Sequence, residues 1–137
     1  MNRFEVLDHT ADIGIIAYGR TLEELFANAA FGMFSVIGDV TTVSPREERP
    51  VLVRADGLGP LLGEFLGELL YLFDAEHFVV REAQVEAVTD REVRASVRGE
   101  PISPAHRLHT EIKAVTHHRL RVEKTPEGWS ATVLFDV

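Results

Sequence analysis

The sequence predicts an α+β fold, with two helices packed on antiparallel β-sheet, and three observations carry that prediction. Two stretches, one after Thr21 and one after Gly57, repeat apolar residues at helical spacing. From Phe78 onward the apolar residues recur at every second position, the period of a strand with one face in the core. Turn residues then punctuate the second half at Asp90-Arg91 and at Thr125-Pro126-Glu127-Gly128. With 137 residues, 45% hydrophobic and 26% charged, the chain reads as one globular domain over residues 1–137.

The elements follow in order. Phe4 to Leu7 and Ile13 to Tyr18 read as short strands flanking an acidic segment. Thr21-Leu22-Glu23-Glu24 is a capping box, with Thr21 as N-cap and Glu24 three residues on. Leu22, Leu25, Phe26, Ala29 and Met33 then share one face, so a first helix runs to about Val36 and stops at Gly38-Asp39. Val40 to Arg54 reads as two short strands around the turn Ser44-Pro45-Arg46-Glu47. Gly57 to Pro60 opens a second helix, whose stripe of Leu61, Leu62, Phe65, Leu66, Leu69 and Leu70 marks it as buried. Gly63 and Gly67, one turn apart, predict a close backbone approach that offsets about 1 kcal/mol of lost helix propensity each. Val79–Ala83, Val85–Thr89 and Val93–Val97 read as strands, and Gly99–Pro104 as a loop. Ile112–Glu123 and Trp129–Val137 are the arms of a final hairpin. The order strand, helix, strands thus occurs twice.

Composition narrows the function. There are no cysteines, which excludes disulfides, iron–sulfur clusters and thiolate zinc sites. The first residues do not form a signal peptide, and no window nears the ~18 apolar residues of a membrane span, so a soluble, cytoplasmic protein is expected. Net charge is −8, split as −10 over residues 1–90 and +2 over residues 91–137. That balance argues against stable nucleic-acid binding; it suits docking onto a basic protein, and equally the plain solvation of an acidic one. No phosphate loop, dinucleotide fingerprint or Gly-x-Ser-x-Gly elbow is present.

Chemistry-bearing residues concentrate at the two ends of the chain. Asp8-His9-Thr10-Ala11-Asp12-Ile13-Gly14 lies near the start, and Phe135-Asp136-Val137 closes the sequence. If the segments fold together, their oxygens suit a hard divalent cation. Read from composition alone, Asp8 and Asp12 fit a hydrogen-bonded turn better than a metal site. A tight turn at Pro126-Glu127 would set Asp136 across from Thr116–His117, near the pair His117-His118, with His118 partly buried on the more apolar face. A zinc site built from His106, His109, His117 and His118 lacks standard ligand spacing, and one buried, hydrogen-bonded histidine is the commoner case. Glu64 and Glu68, four apart and of like sign, read first as a solvated face and second as a mark of a cation or a basic partner.

Four motifs together resemble the archease family: Asp8 to Gly14, Glu68-Leu69-Leu70-Tyr71-Leu72-Phe73-Asp74, Glu111-Ile112-Lys113-Ala114-Val115-Thr116-His117-His118, and Phe135-Asp136-Val137. Their order and spacing span the whole chain. The resemblance implies a two-layer α+β fold of two similar β-α-β-β halves, with helices on antiparallel or mixed sheet. It implies a non-catalytic accessory protein that activates an RtcB-type RNA ligase in tRNA splicing and RNA repair. In that role it promotes guanylylation of the ligase and multiple turnover. It further implies a divalent metal held by Asp12, Asp136 and a main-chain oxygen of Val137, with calcium first and magnesium or manganese open. The end of the chain would then be a ligand in its own right. Asp8, Lys113 and His118 become supporting or partner-facing positions. His117 and Val137 depart from the family's usual aromatic and isoleucine, and neither side chain would be used by the metal. Two readings from other classes stand beside this one: a metal-dependent phosphoesterase acting on RNA ends, and a general chaperone-like binding module.

Overall fold

A computed structural model describes residues 2–8 and 12–137, the side chain of Asp8 excepted. His9, Thr10 and Ala11 of the first motif, and any role for the Asp8 side chain, lie outside the described residues. The elements are β1 (Phe4–Asp8), β2 (Asp12–Gly19), α1 (Leu22–Ile37), a short 3-10 turn (Val40–Thr42) and β3 (Glu47–Arg54). Then come α2 (Leu58–Glu76), β4 (Phe78–Val88), β5 (Glu92–Pro101), β6 (Ala114–Thr125) and β7 (Gly128–Asp136). The strands form two sheets, a four-stranded one in the order β1-β2-β7-β6 and a three-stranded one in the order β3-β5-β4. Every pairing is antiparallel. The expected α+β class is therefore present, with the strands divided between two sheets. Both halves share the step from helix into strand, as β-β-α-β and then α-β-β-β-β.

Both helices form where local signals place them. The Thr21 hydroxyl accepts the Glu24 N–H at 3.1 Å, and the Glu24 carboxylate reaches back to the Arg20 N–H at 3.2 Å. That satisfies two donors near the helix start. α1 is buried almost all round, because it packs against β2 of one sheet and β4 of the other. Its one buried amide, Asn28, is satisfied on both sides, donating to the Tyr18 carbonyl at 2.7 Å and accepting from Arg3 Nε at 3.0 Å. α2 likewise serves both sheets, packing on β6, β3 and β4. Phe26 of α1 and Phe65 of α2 meet at a centroid distance of 5.7 Å, so one core runs through both helices and both sheets.

The structure corrects the strand expectations at four places. Val40–Thr42 is a 3-10 turn: the Asp39 carboxylate accepts from the Thr41 N–H at 3.0 Å and its hydroxyl at 2.6 Å, and this local bonding outcompetes β-propensity. The two strands expected over Val79–Thr89 are one strand, β4, with register shifts at Val80/Glu82 and Val85/Ala87. Gly99, Glu100 and Pro101 extend β5 rather than form a loop. The largest departure is in β6. Thr125 pairs with Gly128 as the turn predicts, but between the pairs Arg121↔Thr132 and Thr116↔Leu134 four residues of β6 face one of β7. Arg119 adopts φ 58 within this bulge, and the His118 N–H turns onto the Thr116 hydroxyl at 3.1 Å. Three extra residues therefore shift the register, so Asp136 faces Ala114 and not Thr116–His117. They also break the alternation on which a partly buried His118 depended, and His118 is exposed.

Candidate functional site

The described parts of the four motifs lie around one end of the four-stranded sheet. In the β2–β7 ladder Asp12 is the direct partner of Asp136, with Ile13↔Phe135 as the next rung. Directly opposed residues of antiparallel strands share a face, with Cβ atoms roughly 4.5–5.5 Å apart. Ile15, Val133 and Phe135 are buried in the core, so by alternation Asp12 and Asp136 lie on the face turned away from the helices. On its other side Asp136 faces Ala114, and its carbonyl accepts the Lys113 N–H at 2.7 Å. Val137 follows at the strand end and is 37% exposed. Neither aspartate has an ion-pair partner among the described residues.

Two like charges directly across a ladder are unfavourable unless something positive lies between them. The donor set fits a hard cation in kind: two carboxylates, with a main-chain oxygen of Val137 next in sequence. Among the described residues no three His, Asp or Glu side chains converge on one point. The described side chains could therefore offer a cation two carboxylates, and any further ligands would have to come from main-chain oxygen and water.

Beside this end lies a cleft of about 310 Å³ between α2 and β6, lined by Glu64, Gly67, Tyr71, Asp74, Lys113 and His117 among others. It joins the second motif to the third. Gly63 approaches side chains rather than the backbone that the glycine spacing predicts: a Cβ there would meet the His117 ring at 2.7 Å and the end of Leu120 at 2.9 Å. Gly67 is not such an approach, since nothing lies within 4 Å of its Cβ position. Tyr71 is 56% exposed over the cleft. Burial, with Glu111 nearby, pushes the Asp74 carboxyl upward. Lys113 lines this cleft while its backbone holds Asp136, so it links the two regions. His118 stands apart, in the exposed bulge.

The buried histidine is His106, which the sequence offers only as one of four histidines in a zinc site. The Ser103 N–H donates to its Nδ1 at 3.0 Å, so the proton sits on Nε2, which donates to Glu100 at 2.8 Å. Glu100 also accepts from the Ser44 N–H and from Arg46 Nε, each at 2.8 Å. These bonds, that from His106 first, hold the Glu100 carboxyl down to about 2. They pin the β5–β6 connection, which leads to Lys113, against the segment before β3. Because the folded value is depressed, the associated stability is present above the ordinary carboxyl value near 4.5 and is lost as pH falls through about 2. Unfolding followed by circular dichroism is expected to show that loss in the wild type. Glu100→Gln is expected to give a flatter curve across the same window.

A model of the Archease protein family (MTH1598/TM1083) matches residues 4–137. The protein archease of Methanosarcina mazei is 46% identical over 140 residues, covering 98% of this chain and 96% of that one. Its counterpart in Thermococcus gammatolerans is 42% identical over 142 residues, with all of both chains covered. The solution structure of Methanobacterium thermoautotrophicum protein 1598 superposes with a TM-score of 0.85 at 34% identity over the full length of both chains. The crystal structure of an archease from Thermotoga maritima, described as a possible chaperone, gives 0.67 at 20% identity, covering 96% of this chain and 94% of that one, a likeness of fold.

Proposed function

Since this chain belongs to the archease family, we propose that it is a non-catalytic accessory protein of an RtcB-type RNA ligase in tRNA splicing and RNA repair. It promotes guanylylation of the ligase's own histidine and lets the ligase turn over repeatedly. The working end is the acidic edge formed by Asp12 and Asp136. There a divalent cation, calcium first with magnesium and manganese as alternatives, would be held by both carboxylates and a main-chain oxygen of Val137. Bound there, the cation would neutralise the opposed carboxylates and present a hard Lewis acid at the partner's guanylylation centre. The chain's own contribution is positional: the β2–β7 ladder fixes the two carboxylates, and the Lys113 N–H fixes the Asp136 backbone. The observation that carries this reading is the direct opposition of Asp12 and Asp136.

The test is ligation at limiting ligase, with guanylylation measured alongside. Asp12→Ala and Asp136→Ala are each expected to return multiple-turnover ligation to the rate of the ligase alone. Full stimulation by both variants would sink the assignment. A second reading, a chaperone-like binding module, draws support from the description of the Thermotoga maritima structure. It predicts protection of unrelated client proteins from aggregation, undiminished by Asp12→Ala.

A further inference from the structure

The two sheets have four edges, β1, β6, β3 and β4, and three of them are blunted. β3 carries Pro50, which has no N–H to offer. β4 is interrupted by two register shifts, and β6 by its bulge at Arg119. Proline and bulges are the usual means by which proteins stop an edge from pairing with another chain. β1 has neither. Phe4-Glu5-Val6-Leu7-Asp8 runs in unbroken register with β2, and Val6 is 56% exposed.

The ladder also shows which β1 groups are unpaired. The Tyr18 N–H donates to the Arg3 carbonyl at 3.0 Å, so Arg3, and by alternation Glu5 and Leu7, bond inward to β2. Phe4, Val6 and Asp8 therefore direct their N–H and C=O groups outward. Among the described residues no strand pairs with that edge.

We propose that β1 is a docking strand, whose outer edge takes up an extended, Lys- or Arg-bearing segment of the protein partner as a fifth strand of the four-stranded sheet. The inference rests on the accessory-protein reading above and names the surface it uses. Charge selects the occupant. Glu5, which accepts the Tyr18 hydroxyl, places a carboxylate on the sheet face beside the incoming strand, and residues 1–90 as a whole carry −10. A second copy of this chain is the wrong occupant. Antiparallel self-pairing centred on Val6 would set the Glu5 residues of both copies diagonally on one face, and each molecule carries −8. Position also favours a functional partner. β1 ends at Asp8, which pairs with Ile13, one residue from Asp12. A strand added there would carry the partner's adjoining residues to the acidic edge.

Residue-resolved amide exchange on the protein mixed with an RtcB-type RNA ligase tests this. The outward amides of Phe4, Val6 and Asp8 are expected to slow about tenfold or more, while those of Glu5 and Leu7, already bonded to β2, change little. Val6→Pro removes one outward donor and leaves the inward bonds. It is expected to raise the concentration for half-maximal ligase stimulation about tenfold with the maximum preserved, a shift in binding alone. Glu5→Lys, at an exposed position, is expected to act in the same direction and keeps the test open if the proline variant does not fold. Complex formation without protection at Phe4, Val6 and Asp8 would overturn the inference and leave the accessory role standing. So would wild-type stimulation by Glu5→Lys together with a folded Val6→Pro, or a stable homodimer protected at those amides. Failure of the wild-type proteins to associate or stimulate would overturn both readings.

Discussion

In metal-free buffer, Asp12→Asn and Asp136→Asn are each expected to melt slightly above the wild type, and in excess calcium the wild type is expected to overtake both. The first half of this crossover follows from the ladder. Asp12 and Asp136 are direct cross-strand partners with no cationic side chain paired to either among the described residues. Removing one charge from such a pair relieves about 0.2–1 kcal/mol, toward the lower end here because Asp136 is exposed and screened. The second half follows from linkage. A cation that binds only the folded state at a hundredfold excess over its Kd adds about 2.7 kcal/mol. For a chain of this size that corresponds to roughly 10 °C, several times the repulsion it overcomes. Thermal unfolding in chelator, calcium, magnesium and manganese reads both halves and ranks the ions. If no divalent ion shifts the wild type while ligase stimulation persists, the acidic edge works as bare carboxylates and the metal assignment falls.

How much of this was legible beforehand depended on whether the deciding contacts were local. Helix α1 was, because its start is set by Thr21 and Glu24 bonding neighbouring N–H groups and its end by Gly38. The last hairpin was legible at its turn, where Gly128 at φ 147 adopts backbone that L-residues resist, and Thr125↔Gly128 pairs as expected. Eight residues further along β6 the expectation failed. A period-two reading of Lys113 to Arg121 has no way to count residues that leave the ladder. The hint was compositional: His117-His118-Arg119 is a polar run between Thr116 and Leu120, where a paired strand would place at least one apolar side chain. Those residues displace the partner of Asp136 by three positions and leave His118 exposed where alternation predicts partial burial, while the buried histidine is His106.

The acidic edge was illegible for a different reason. Asp12 and Asp136 sit at opposite ends of the sequence, and no local rule brings β2 beside β7; only the completed sheet does so. Composition alone read Asp12 as a turn residue. It took the resemblance of four motifs to put both aspartates in one site. The cleft between α2 and β6 lies between these cases. The glycine pair in α2 lines it, and neither member meets backbone as the spacing predicts: Gly63 lies against the His117 ring and Gly67 faces open space.

The second large effect is a contrast between a strand glycine in β5 and a helix glycine in α2. Gly99→Ala is expected to destabilise the fold by about 3 kcal/mol or more, a loss on the order of 10 °C in melting temperature. A Cβ at Gly99 would lie 1.9 Å from the Val79 carbonyl oxygen and 3.0 Å from the Val80 Cα, both backbone atoms with no rotamer to yield. The crowding arises because β4 changes register between Val80 and Glu82, directly beside the rung Val80↔Gly99. The next residue is Glu100, so parting β4 from β5 here also strains the carboxylate that holds Ser44, Arg46 and His106. Gly67→Ala is expected to go the other way, gaining about 0.5–1 kcal/mol, since a helical glycine with nothing within 4 Å costs propensity and its new methyl meets no atom. Thermal melts of the two variants decide the matter. Similar losses in both would mean that the cleft side of α2 is closed in solution, and stability retained in Gly99→Ala would mean that the β4 bulge can slide to admit a methyl group.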